Sequence, residues 1–131
     1  MAEASLFERL GGIYGIAAAV DHLVDRLYAN ASANANPAVA AFHAQQGQAG
    51  FKFLVTAWTV EATGGPKCYP GRDMREAHVH LKVSEADFDV VALETQATLS
   101  FLGAPLPEAG EFMALIESYR PMVVSSPSEP S

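Results

Sequence analysis

A single cysteine, Cys68, among 131 residues excludes an internal disulfide and any cluster of thiolate metal ligands. Basic residues are also few: eight Lys and Arg against fifteen Asp and Glu leave a formal charge of −7 and a pI near 4.9. That balance repels phosphate backbones and anionic bilayers, so neither nucleic acid nor a membrane is expected as a partner. Long apolar runs are missing too. The longest stretch without charge, Leu27 to Phe51, is rich in Asn, Gln, Ser, Gly and Ala rather than continuously apolar, which excludes a membrane span there. The opening residues lack the basic start and apolar run of a signal peptide, so a cytoplasmic location is expected and the "NAS" glycosylation pattern at Asn30 is idle. No segment alternates apolar and polar residues with period two, which argues against a sheet.

What is present is helical periodicity in a chain that is 50% hydrophobic, enough for one domain over residues 1–124 with a core and room for a ligand. "SLFERLGG" reads as a short helix capped by Ser5 and Glu8 and stopped at Gly11 and Gly12. In "IAAAVDHLVDRLYAN" the residues Ile16, Val20, Leu23, Val24, Leu27 and Tyr28 share a face, with Asp21, His22, Asp25 and Arg26 opposite. "ANASANANP" reads as a loop or corner. After Gly50, Phe51, Leu54, Val55 and Trp58 form a second stripe that ends at "TGGP". Ser84 with Asp87 starts a further helix to "GAPLP", and a last one is expected from about Pro107 to Val124. The tail "SSPSEPS", residues 125–131, has no apolar residue and is expected to be disordered. The fold class is all-α, with about five main helices.

One histidine stands out. In "RDMREAHVHLKV" Asp73 and Glu76 predict a helix start, and Met74, Ala77, His78 and Leu81 then fall on one apolar stripe. His22, His43 and His80 have ordinary readings, as a solvated face, a loop end and the outer side of the His78 helix. His78 and His80 lie roughly 200° apart around a helix, so they cannot share one metal from a regular turn. No motif supplies an orienting group for a Cys68–His nucleophile; Cys68 itself reads as a small, half-buried residue. A haem, by contrast, needs one axial imidazole, an apolar slot and a polar rim. His78 could be the ligand, with Phe51, Leu54, Val55, Trp58 and Met74 lining the slot and Lys67, Tyr69, Arg72 and Arg75 at its edge. Yet an isolated histidine on an apolar stripe is more often a hydrogen-bonded core residue, and spacing alone leaves both readings open.

The ordered segments "LFERLGG", "AVDHLVDRLY" and "ATGGPKCYPGRDMREAHVHL" resemble the group I truncated haemoglobins, in particular a branch with a "TGGPCKYTGRDM" type of segment. The likeness spans roughly residues 5 to 124. It implies a shortened globin, a two-over-two helical sandwich around haem b, with Gly11–Gly12 and Gly64–Gly65 as its two glycine pairs and His78 as the proximal iron ligand. No "CxxCH" is present, so the haem is expected to be held noncovalently.

The resemblance also marks departures. Val24 stands where many members carry a tyrosine that donates to bound oxygen, and Leu23, Phe51 and Val55 complete an apolar distal pocket. Where the family has paired phenylalanines at the preceding corner, this chain has Phe42 and His43; ungapped alignment puts His43 against the haem, and a shift of one residue puts Phe42 there. His43 or Lys52 is a candidate sixth iron ligand. His80 and Lys82 replace glycines that the family favours. Three functions follow as expectations. The first is a haem protein that reversibly binds oxygen, nitric oxide or carbon monoxide, including a role in oxygen transport. The second is a nitric oxide dioxygenase served by a separate reductase, since no "GxGxxG" nucleotide motif is present. The third is a haem-free helical binding module.

Overall fold

In the computed structural model, residues 4–124 are described, apart from the side chain of His80. The expected tail over 125–131 and the outward reading of His80 lie outside the described residues. Nine α-helices and one 3-10 turn make up the described chain, with no strand among those residues. Ser5 accepts the Glu8 N–H at 3.1 Å and starts α1 (Leu6–Arg9). The chain then turns at Gly11 into α2 (Gly12–Ala29), as the glycine pair suggested. "ANASANANP" is not simply a loop: Asn30 takes the Ala33 N–H and nucleates the one-turn helix α3 (Ala31–Asn34). Asn36 caps α4 (Pro37–Gln45), whose Pro37 occupies the first turn, where its missing N–H is not needed.

The second long helix, α5 (Gln48–Ala62), begins three residues before Phe51. It ends in a Schellman turn: Gly64 N–H bonds Glu61 O at 3.2 Å and Gly65 N–H bonds Val60 O at 2.8 Å. Gly64 holds φ +102, and a Cβ on Gly65 would meet Phe7 at 2.7 Å and the Val60 carbonyl at 2.8 Å. Both positions therefore require glycine. Phe7 N–H bonds Thr63 O at 2.8 Å, tying α1 to this turn.

Beyond it come α6 (Met74–His78), the 3-10 turn Val79–Leu81 and α7 (Glu85–Phe101), the last opened by a reciprocal capping box between Ser84 and Asp87. The single final helix expected from the sequence is two, α8 (Leu106–Ser118) and α9 (Arg120–Val123). Pro121 explains the break, since it has no N–H to give the preceding turn.

The architecture pairs α2 with α5 and α7 with α8, and α2 also meets α7. Two hydrophobic clusters form. Ile16, Val20 and Val24 of α2 recur every four residues and pack with Val60 of α5. On the other side Val83, Phe88 and Val123 are buried, with Met74 and Leu81 packed against them. Burying each of these aliphatic side chains contributes roughly 1.5–3 kcal/mol. The polar face of α2 is less solvated than its pattern suggests: His22 is half-buried and stacks on Phe101 at 4.4 Å, and Arg26 reaches Glu94 on α7 at 3.3 Å.

Candidate functional site

The short helix α6 is set by its cap. The Asp73 carboxylate accepts the Glu76 N–H at 2.8 Å, and the helix runs only to His78 before tightening into the 3-10 turn. Lys82 ends that turn in the left-handed region, at φ 50 and ψ 49, where the resemblance favours a glycine. His78 is half-buried, and its Nδ1 lies 2.8 Å from the Met74 carbonyl, one turn back. A carbonyl can only accept, so Nδ1 is the donor in this bond. A hydrogen bond of this kind, from one ring nitrogen to a backbone carbonyl, is the one that orients metal-ligating imidazoles.

His78 lines a cavity of about 1330 Å³ to which both hydrophobic clusters contribute wall. Such a volume exceeds the ~300–1,000 Å³ of ordinary small-ligand pockets. Met74 and Ala77 flank the imidazole on its own helix, and Leu23, Val24, Phe51, Leu54, Val55 and Trp58 supply wall from α2 and α5. Val24 is fully buried. None of Leu23, Val24, Phe51 or Val55 carries a side-chain hydrogen-bond donor. At the edge, Tyr69 and Arg72 reach the cavity, with the Tyr69 hydroxyl donating to the Arg72 carbonyl at 2.7 Å. Burial, and to a lesser degree the Asp73 carboxylate, hold the Tyr69 phenol above its usual value.

Other sequence candidates are held elsewhere. Phe42 lines the cavity and His43 does not; the register with Phe42 at the wall is the one the geometry supports. The His43 ring stacks on Tyr28 at 4.1 Å, with Nδ1 donating to Asn34 Oδ1 at 2.7 Å, and burial lowers its pKa. Lys52 is also off the lining, paired with Asp21 at 2.7 Å and Asp25 at 2.9 Å. Those two carboxylates hold its ammonium above the ordinary range. Lys67 and Arg75 are exposed and off the lining, and Leu81 packs into the Val83 cluster instead. Cys68 is exposed rather than half-buried, its thiol 3.6 Å from the Ala57 carbonyl. Among the described residues no three of His, Cys, Asp and Glu converge as a metal cluster.

Residues 5–124 match the family of bacterial-like globins. The chain belongs to that family. This globin is 32% identical over 105 residues to a group 1 truncated hemoglobin of Synechocystis sp., covering 77% of this chain and 80% of that protein. A group 1 truncated hemoglobin of Chlamydomonas moewusii is 28% identical over 127 residues, 95% of this chain and 71% of its own length. Among known structures, the Fe(III) truncated hemoglobin of Tetrahymena pyriformis superposes with a TM-score of 0.81 at 25% identity, covering 94% of this chain and all of that one. A 2/2 hemoglobin of Synechococcus sp., in the cyanomet state with covalently attached heme, gives 0.78 at 27% identity over 91% of this chain and 95% of that one. The globin is thus a group 1 truncated hemoglobin in sequence and an all-α, two-over-two sandwich in fold.

One wall of the globin's cavity was not named from sequence. Thr95, Thr98 and Leu99 of α7 and Phe112 and Ile116 of α8 face it, as does Tyr119, whose ring meets Trp58 edge-on at 5.2 Å. Helical periodicity in a sequence does not say whether an apolar stripe meets a neighbouring helix or a ligand. The threonine hydroxyls are spent on their own helix, bonding Val91 O at 2.7 Å and Glu94 O at 2.8 Å. They therefore leave that wall apolar in effect.

Proposed function

We propose that this globin holds haem b noncovalently, with His78 as the axial ligand, and binds a diatomic gas reversibly. The observation that carries the reading is the His78 ring, fixed by Met74 O at the wall of a largely apolar cavity that Leu23, Val24, Phe51 and Val55 also line. The residues suit a haem. The imidazole is oriented through Nδ1 as an axial ligand would be, the walls suit an apolar macrocycle, and Arg72 and Tyr69 could partner its propionates. Among the described lining residues His78 is the one imidazole, and the Cys68 thiol lies off the wall, so no second side chain of either kind is offered for a covalent bond to the porphyrin.

Bound haem supplies an iron that takes up oxygen, nitric oxide or carbon monoxide. The chain does the rest. The Met74 carbonyl keeps the His78 proton on Nδ1 and makes the ring a stronger donor. Val24, Phe51 and Val55 line the same cavity and offer a gas no hydrogen bond. This selects for weakly polar ligands over those that need a donor.

The test is the visible spectrum of the purified protein, ferric and then dithionite-reduced, beside His78→Gly with and without added imidazole. A Soret band that shifts on reduction, is altered in the variant and is restored by imidazole supports the reading. A band indifferent to the substitution, or none after haem is supplied, overturns it.

A further inference from the structure

The axial role of His78 rests on α6, a helix of five residues that cannot hold itself in place. Its chief packing partner is α9, which has only four residues. What holds α9 is legible in two side chains. Val123 is buried beside Val83 and Phe88, in the cluster on which Met74 and Leu81 rest. Arg120 supplies the rest. Its guanidinium bonds Asp89 of α7 at 2.7 Å and both carboxylate oxygens of Glu117 of α8 at 2.9 Å, and approaches Glu85 at 3.4 Å. It also lies over the Phe88 ring, 4.3 Å from the centroid. One cation thus joins α7, α8 and α9 and caps the floor beneath α6.

We propose that Arg120 is the positioning residue for His78: by clamping α9 to α7 and α8 it fixes the surface on which the His78 helix sits, and so the orientation of the imidazole. The proposal deepens the haem reading and rests on it for the role of His78. Its logic is electrostatic as well as steric. Without the guanidinium, Glu85, Asp89 and Glu117 are left as three like charges at the junction, which then repel instead of converging. Lysine keeps the charge but loses the planar fork and the ring stacking, so it replaces arginine only in part.

The experiment compares Arg120→Gln and Arg120→Lys with the parent, and with Arg26→Gln, which breaks a different interhelical ion pair, to Glu94. Two readouts are taken: amide hydrogen exchange of α6 in protein without added haem, and the iron–histidine stretching band of the ferrous haem-loaded protein. Exchange at Ala77 and His78 should quicken about tenfold in Arg120→Gln, less in Arg120→Lys and not in Arg26→Gln, while α2 is unchanged. The stretching band should shift or broaden in the same order. Unchanged α6 exchange in Arg120→Gln, an equal response in Arg26→Gln, or an unmoved band despite faster exchange would overturn the proposal. A parent protein without any iron–histidine band would instead sink the axial assignment of His78, and the exchange data would still decide whether Arg120 clamps α6.

Discussion

Replacing Val24 with tyrosine would place a phenol on the wall of the cavity that His78 also lines. Val24 is fully buried and packs with Ile16, Val20 and Val60, but it also lines the 1330 Å³ cavity, so the ring has open volume to enter. The cost in stability should fall within the ~1–3 kcal/mol typical of overpacking. The gain falls on the ligand. A bound oxygen carries partial negative charge, and a desolvated hydroxyl donating to it contributes about 1–3 kcal/mol, or about 5- to 150-fold in dissociation rate. Oxygen release, followed by displacement with carbon monoxide in a stopped-flow instrument, should slow by that factor, and oxidation to the ferric form should slow with it. Carbon monoxide, a poorer acceptor, should be released at nearly the parental rate. Val24→Phe separates donor from bulk, because it brings nearly the same ring without the hydroxyl. If tyrosine and phenylalanine slow oxygen release equally, or if the parent already forms a long-lived oxygen complex, the apolar-pocket reasoning is wrong.

Three further outcomes follow from the loop and cap geometry. Lys82→Gly relieves a left-handed residue at φ 50; the ~1–2 kcal/mol steric cost removed exceeds the ~0.5–1 kcal/mol of added chain entropy, so urea unfolding should show a gain of about 0.5–1 kcal/mol. A loss would mean that the lysine side chain itself holds the turn. Asn36→Ala should cost about 2–4 kcal/mol in the same assay, because one amide caps α4 and also donates to Leu81 O at 3.0 Å, Lys82 O at 3.2 Å and Asp87 at 2.9 Å; a change under about 0.5 kcal/mol would refute that accounting. Burial acts to raise the Asp87 carboxyl, but bonds from the Ser84 backbone, from Asn36 and from the Ser84 hydroxyl outweigh it and hold its pKa below the ordinary 3.8. Its folded pKa lies under the unfolded one, so its contribution is complete above about pH 4 and is lost as pH falls further. Thermal melts between pH 5 and pH 2 should be flatter for Asp87→Asn, and parallel curves would contradict the assignment.

Much of the fold was readable because its signals are local. The Ser84–Asp87 box, the Asp73 cap and the Gly64–Gly65 stop each act within one turn, and each recurs in the structure at the expected residue. So does the α2 stripe, whose four-residue recurrence is what buries Ile16, Val20 and Val24. The misses came from competing local chemistry or from tertiary context. Pro121 divides α8 from α9, a break its missing N–H dictates and which apolar periodicity had masked. Asn30 turns a polar corner into α3 by capping it. Within the candidate site, alignment puts His43 against the haem and Lys52 stands as a second candidate ligand; their partners, Tyr28, Asn34, Asp21 and Asp25, are chosen by helix packing that no spacing rule reports. Leu81 keeps the apolar side it shares with Met74, packing on the Val83 cluster, but after the helix tightens at His78 it is off the cavity wall.

Those partnerships bear on why the cavity is apolar at all. Several polar side chains around α2, α4 and α5 are committed away from the cavity, although Gln46 lines it beside Phe42 and Phe51. The Tyr28 hydroxyl donates to Gln46 O at 3.1 Å, Lys52 spans Asp21 and Asp25, and His43 is pinned between Tyr28 and Asn34. Freeing any of them into the cavity costs the partner it leaves as well as its own desolvation, a penalty of about 1–3 kcal/mol for each neutral group left unpaired and more for a charge. A single swing of Lys52 would break two ion pairs at once and bring an ammonium against Val24, Phe51 and Val55. The pocket is therefore defended twice, by what lines it and by what holds the nearest donors away, and the second defence is a property of α2–α5 packing rather than of any residue on the wall. On this argument a ligand beside Val24, Phe51 and Val55 meets an apolar surface on which Gln46 is the nearest uncommitted amide, and control of binding is shared with the histidine side, where Met74 and α6 set the imidazole.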